Sequence, residues 1–321
     1  MKSSKRLESI DEFRGFAILL MVIANFLARS NTVPSWLKHA PDIGFTIIDL
    51  IAPLFIFAIG LTYGLSFRKR VERDGEFKAI NHFFTRYLAI SGIGFFLTSM
   101  GNLTGVYPEI SYWGLLQAIG AAGLITLIFI RYSTKVRIIS GFIILVIYQY
   151  MLDHYWLQNV LSSSHGGIMA SLSWGAMLII STTLADFYHD IKTGKNKFIF
   201  ISLGILIIGI VALFFIPISK HRVSFSFVLI SIGLSALVFE LFDIIIELKN
   251  IKFPVLPSWG KNPLLLYILH IFILGLFVLP QYDWWYTEAS MWLLIIQLFM
   301  ILGILSWIGI YLDSKKLYFS L

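Results

Sequence analysis

The chain has 321 residues, of which 58% are hydrophobic and only 13% charged, where a soluble domain carries roughly 25% charged residues. That balance excludes an ordinary water-soluble enzyme and predicts an all-α fold: a polytopic bundle of membrane helices forming one domain over residues 1–321. The absence of cysteine excludes disulfides, thiolate metal sites and a cysteine nucleophile. The net charge of +7 sits in short loops without interleaved aromatics, so the expected partner is the lipid bilayer and not nucleic acid.

Apolar runs fall near 12–28, 43–66, 84–102, 112–130, 137–152, 167–186, 198–217, 223–246, 263–280 and 289–312, which predicts about ten transmembrane helices. Their cations alternate by side. With the amino terminus in the cytoplasm, that face receives Lys2, Lys5, Arg6, Arg14, the group from Arg68 to Lys78, Arg131, Lys135, Arg137, Lys192, Lys195, Lys197, Lys249, Lys252, Lys261, Lys315 and Lys316. The outer face keeps Arg29, Lys38, Lys220 and Arg222, so both termini are expected to be cytoplasmic.

In the first run, Asp11 and Arg14 stand three residues apart, either as an interfacial anchor or as part of the mouth of a site. This run lacks a small-residue cleavage site and is followed by a matched second run, which predicts a retained anchor. It carries Asn25, and the second run carries Asp49. A carboxylate inside a membrane helix costs roughly 2.5 to 3.5 kcal/mol, so Asp49 is expected to face a partner or a wet cavity. Pro53 predicts a kink that exposes the Asp49 carbonyl. His39 lies in the connection between the two runs, close enough for an Asn25, His39 and Asp49 cluster near one membrane face.

Further along, Arg68 to Lys78 is expected to be a solvated charged loop. Arg86 either snorkels to the interface or reaches an anionic ligand. Gly92, Gly94, Gly120 and Gly123 permit close helix packing, and Asn102 and Gln117 read as interhelical hydrogen-bonding groups. Glu240, Asp243 and Glu247 share a helix face followed by Lys249 and Lys252, which predicts a solvated, salt-balanced helix end. Asn262 and Pro263 make a helix start where amide groups, the positive end of the dipole and Lys261 would suit a phosphate. A lysine that merely obeys the positive-inside pattern is the competing reading. His270 lies about 10 Å further in and is buried by position. The aromatic residues of the outer loops, from Trp36 and Tyr107 to Trp284 and Trp285, form an interfacial belt in which a few rings could stack on a sugar.

The stretch SIDEFRGFAILLMVIAN, then KHA, then GFTIIDLIAPLFIFAIG, resembles the amino-terminal signature of the heparan-alpha-glucosaminide N-acetyltransferase family, within the wider group of transmembrane acyltransferases. KHRVSFSFVLISIGL (220–234) and GKNPLLLYILH (260–270) resemble later segments of the same family. The resemblance implies a membrane enzyme moving an acetyl group from cytoplasmic acetyl-CoA to an acceptor on the other side, an amino sugar, an envelope glycan or another small amine or alcohol. It implies Asn25 and His39 as catalytic residues, with Asp49 by position. The imidazole would act as nucleophile or general base, Asp49 would hold its tautomer, and the Asn25 amide would donate to the oxyanion. Lys261, Asn262, His270 and Arg86 are the expected donor-binding residues, His270 by its match to a family histidine, and no metal is expected.

One departure is that Phe26-Leu27-Ala28-Arg29-Ser30 stands where the family commonly has a glycine-rich stretch. No added amino-terminal domain of the kind animal members carry is expected. The cytoplasmic membrane of a prokaryote is the expected location, with a homodimer left open. A small-molecule transporter or flippase is the rival reading, although no second copy of the broken-helix pattern is visible. A third is a non-enzymatic subunit whose polar residues only join helices.

Overall fold

The computed structural model describes residues 2–103, 112–190, 194–249, 254–280 and 282–319, with side chains for all of these except 2–7, 194 and 247–249. Tyr107, Lys192 and Lys252, and the side chains of Lys2, Lys5, Arg6, Glu247 and Lys249, lie outside the described residues. The helices are α1 (Lys2–Leu27), α2 (Ile51–Asp74), α3 (Glu76–Leu103), α4 (Leu115–Phe129), α5 (Thr134–Met151) and α6 (Leu157–Leu161). They continue as α7 (Ser171–His189), α8 (Gly194–Ala212), α9 (Phe225–Lys249), α10 (Leu256–Lys261), α11 (Pro263–Val278) and α12 (Met291–Ser314). Among the described residues the architecture is all-α, with one isolated parallel bridge between Gly44 and Ser219.

Six helical stretches of the described residues are long and apolar enough to cross a membrane: Ile47–Asp74, Glu76–Leu103, Thr134–Leu161, Lys195–Ala212, Phe225–Ile246 and Met291–Ser314. α4 and α11 are shorter apolar helices. The chain is an integral membrane protein.

Two compact units divide the chain: Met1–His39, Thr46–Phe55 and Val238–Leu321 form one, and Ala40–Phe45 with Ile56–Leu237 forms the other. In the first, α1 crosses α10 at a glycine-on-glycine contact. A Cβ on Gly15 would lie 2.0 Å from the Leu256 carbonyl oxygen, and one on Gly260 would lie 1.8 Å from that of Asp11. Only a residue without a side chain fits at either position. Arg14 secures the crossing, reaching the Asp11 carboxylate and the Gly260 carbonyl at 3.2 Å each. Nearby, Phe13 meets Phe239 edge-on at 5.3 Å and Phe16 lies 5.0 Å from Phe242.

This packing corrects the reading of the α9 end as solvated. α1 covers the acidic face, so Glu240 and Asp243 are buried and Ser9 Oγ donates to Asp243 Oδ1 at 2.9 Å. At the far end of the unit, the Tyr286 hydroxyl donates to the Phe26 carbonyl as α1 runs out.

In the second unit the segment from Arg68 to Lys78 is helical and not a loop. Arginine, lysine and glutamate are good helix formers, so α2 runs to Asp74 and α3 starts at Glu76, with Gly75 at φ +86 as the joint. Gly94, Gly120 and Gly123 take close neighbours across α3 and α4, whereas Gly92 faces open space. Gln117 Nε2 donates to Thr98 Oγ1 at 3.1 Å, an interhelical bond of the kind its sequence position implied. The segment Ala40–Phe45 is pinned in this unit. Gly44 N donates to Ile218 O at 2.9 Å, and the Arg222 guanidinium grips both oxygens of Asp42, with Nε at 2.8 and 3.1 Å.

Candidate functional site

In the first unit, the chain leaves α1 after Leu27, turns through the 3-10 stretch Ser35–Leu37 and reaches a second 3-10 turn, Ile47–Leu50, before α2 begins. Asp49 lies in that turn and not within an α-helix. Pro53 then falls in the first turn of α2, where a missing amide breaks no intrahelical bond. The expected kink is therefore a helix start.

The turn is held by a reciprocal cap. Thr46 is the N-cap; its carbonyl accepts from the Asp49 amide at 3.1 Å, and its own amide donates to Asp49 Oδ2 at 2.9 Å. The other carboxylate oxygen faces the loop histidine: His39 Nδ1 donates to Asp49 Oδ1 at 2.7 Å. The Asp49 side chain is 0% exposed and that of His39 is 41% exposed, so a buried acid supports a reachable imidazole. A carboxylate acceptor places the ring proton on Nδ1 and leaves the lone pair on Nε2, the arrangement required of a base or nucleophile.

Asn25, two residues before the end of α1, is partnered with α11. Its Nδ2 donates to Nε2 of His270 at 2.9 Å. His270 is buried, with the Tyr267 ring edge-on at 4.8 Å. From the Gly15 crossing to Asn25 is ten residues, about 15 Å of α1, and His270 lies about 10 Å along α11 from its start at Pro263. α1 thus meets α10 at its Arg14 end and α11 at Asn25, and the polar pair lies well along both α1 and α11. Accepting from Asn25 uses the His270 lone pair and leaves one amide N–H and the carbonyl of Asn25 for a further partner.

Lys261 and Asn262 have other occupations. Lys261 Nζ contacts both oxygens of Asp313 at 2.8 Å, and this bond raises the lysine above its ordinary range. Asn262 occupies the N-cap position before Pro263 as its sequence implied, but makes no side-chain cap. Its amide instead donates to Leu317 O at 3.0 Å and accepts from Phe319 N at 2.9 Å. The helix start expected to receive a phosphate is occupied by the chain's own Asp313 and its carboxy-terminal segment.

Arg86 belongs to the second unit, where its guanidinium lies 6.0 Å over the Tyr87 ring. That unit also holds a cavity of about 480 Å³ lined by Arg68, Arg131, Thr134, Arg137 and Asp186. Asp186 accepts there from Arg137, from Thr134 at 2.7 Å and from Arg68 at 3.2 Å. In the sequence these arginines read only as topology signals, because their acidic partner is distant along the chain.

The structure therefore joins His39 to Asp49 and Asn25 to His270. Thr46 was not singled out by its residue type, although Thr-x-x-Asp before an apolar run is a legible cap signature.

The family model for the catalytic region of heparan-alpha-glucosaminide N-acetyltransferase matches residues 6–172, just over half of the chain. The chain belongs to this N-acetyltransferase family. The human protein of that name is 30% identical over 118 residues, 36% of this chain and 17% of its own length. The mouse protein is 28% identical over 121 residues, 37% of this chain and 18% of its own length. These matches therefore span less than a fifth of either relative. The region of the N-acetyltransferase family model contains Asn25, His39, Thr46, Asp49 and Arg86, whereas Lys261, Asn262 and His270 lie beyond it.

Proposed function

We propose that the protein is a membrane-embedded acetyltransferase that takes an acetyl group from acetyl-CoA on the cytoplasmic side and passes it to an amine or hydroxyl acceptor outside. A glucosamine-type sugar or an envelope glycan suits the family and the aromatic outer loops. The observation that carries the proposal is the His39 to Asp49 bond, in which a buried carboxylate fixes the tautomer of an accessible imidazole.

His39 Nε2 either attacks the thioester carbonyl carbon, forming an acetyl-imidazole as the CoA thiolate leaves, or removes the acceptor proton so that the acceptor attacks directly. In direct transfer the proton taken from the acceptor passes from His39 to the departing thiolate; in the covalent route the thiolate takes a proton from water as it leaves, and the acceptor gives its proton to solvent as it takes the acetyl group from the ring. An amide N–H of Asn25 donates to the oxyanion, while His270 keeps the amide from rotating. The bundle has about ten spans, with both termini cytoplasmic as the loop cations imply.

The test is purified protein with acetyl-CoA labelled in the acetyl group and a panel of amino sugars and envelope fragments. CoA release that depends on His39, with label on one acceptor class, is the expected result. Uptake with the thioester intact would mean a transporter, and full acetyl transfer by His39→Ala would remove His39 from the mechanism.

A further inference from the structure

Thr46 occupies an unusual place in the hydrogen-bond pattern around His39. Its amide donates to Asp49 Oδ2 and its carbonyl accepts from the Asp49 amide, closing the turn on the residue that holds the imidazole. The Thr46 hydroxyl donates across the loop to the carbonyl of Lys38, the residue preceding His39, at 2.8 Å. It lies 3.1 Å from Asp49 Oδ2 as well. One hydroxyl proton thus has two acceptors, a neutral carbonyl that fixes the His39 backbone and a carboxylate that fixes the His39 ring. One side chain locks both ends of the His39 to Asp49 contact.

We infer that Thr46 is a positioning residue for His39: it holds the imidazole on Asp49 in the Nδ1–H tautomer and keeps Nε2 directed at the reacting carbon. This deepens the proposed acetyl transfer and rests on it for the identity of the reaction. The hydrogen bonds themselves do not depend on that reading. Asp49 accepts at both oxygens, so its charge is spread over the Thr46 amide and the His39 ring. Losing the hydroxyl loosens the Lys38 carbonyl and removes one wall of the carboxylate's seat, and the ring gains freedom to turn off Asp49. Placement errors of about an ångström at a reacting group cost on the order of 100-fold in rate. The expected loss is therefore in the rate of acetyl transfer.

The experiment compares Thr46→Val, which keeps the shape and the amide but removes the hydroxyl, with Thr46→Ser, which restores the hydroxyl on a smaller side chain. Thr46→Val is expected to lower kcat roughly 10- to 100-fold with the KM for acetyl-CoA within about twofold of wild type, and Thr46→Ser to recover most of the loss. In parallel, ¹⁵N-histidine spectra of both variants and wild type, with the His39 signal assigned by its disappearance in His39→Asn, read the tautomer without any substrate. Wild type and Thr46→Ser are expected to show Nδ1–H, and Thr46→Val a mixture of both tautomers.

Equal kcat in Thr46→Val and wild type, equal damage from Val and Ser, or an unchanged tautomer in Thr46→Val would each overturn the inference. A wild-type protein that transfers no acetyl group, but whose His39 tautomer still follows residue 46, would sink the proposed reaction and leave the positioning role standing.

Discussion

Asn25 in α1 and His270 in α11 share a 2.9 Å hydrogen bond across 245 residues of sequence. The bond gives the Asn25 amide, proposed above to hold the oxyanion, a fixed plane, because one of its donors is committed to a buried ring. It also ties α1 to α11, beyond the point where Gly15 and Gly260 bring α1 against α10. A double-mutant cycle with Asn25→Ala and His270→Ala, read as unfolding free energy in detergent, is expected to give a coupling of about 0.6 to 1.7 kcal/mol. Additive effects within error would mean that the two side chains do not depend on each other.

Asp49 fixes the His39 tautomer, so Asp49→Asn presents the ring with an amide that can donate as well as accept. The variant is expected to lose roughly 100- to 10,000-fold in kcat with little change in the KM for acetyl-CoA. Steady-state kinetics on purified protein decide this, and a rise in KM alone would place Asp49 in donor binding instead.

Lys261 reaches a ligand phosphate only by exchanging Asp313 for it. If that exchange is how the donor docks, Asp313→Asn releases the lysine and tightens CoA binding several-fold, while Lys261→Ala weakens it. Calorimetric titration with CoA measures both. No change in either variant would leave Lys261 as a tether for the carboxy-terminal segment.

Gly15 and Gly260 bring the α1 and α10 backbones into contact, and a methyl group at either would overlap a carbonyl oxygen. Gly260→Ala is expected to destabilise the protein by about 1 to 3 kcal/mol or more, as overpacking does. Gly92→Ala, whose new methyl meets nothing within 4 Å, should fall within about 0.5 kcal/mol of wild type. Melting in detergent separates the two, and equal effects would argue against the crossing.

The Asp42 and Arg222 pair makes the anchoring of residues 40–45 sensitive to acid. The Arg222 guanidinium bonded to Asp42 holds that carboxyl below its ordinary value, with Ser219 and the nearby His221 acting in the same direction. A depressed folded-state value means the contribution is complete above the unfolded carboxylate value of about 3.9 and is lost as pH falls through the lower folded value. The melting difference between wild type and Arg222→Gln should therefore be widest at neutral pH and shrink below about pH 4. A difference that stays constant down to about pH 3 would contradict the pairing.

The features legible in the chain were those set by neighbours within a few residues. The apolar runs declared a membrane protein of helices. Asn262 with Pro263 marked the start of α11, and the local return of the chain put His39 within reach of Asp49. Thr46 was readable on the same grounds, through its spacing to Asp49. The tertiary structure decided which distant groups meet: His270 as the partner of Asn25, Asp313 as the anion beside Lys261, Asp186 beneath Arg137, and the covered face of Asp243. A cap or a short loop is closed by backbone geometry that the sequence spells out. A pair hundreds of residues apart exists only because two helices cross at a given depth and angle, and here that crossing is set by glycines whose missing side chains carry no signal of what they will touch.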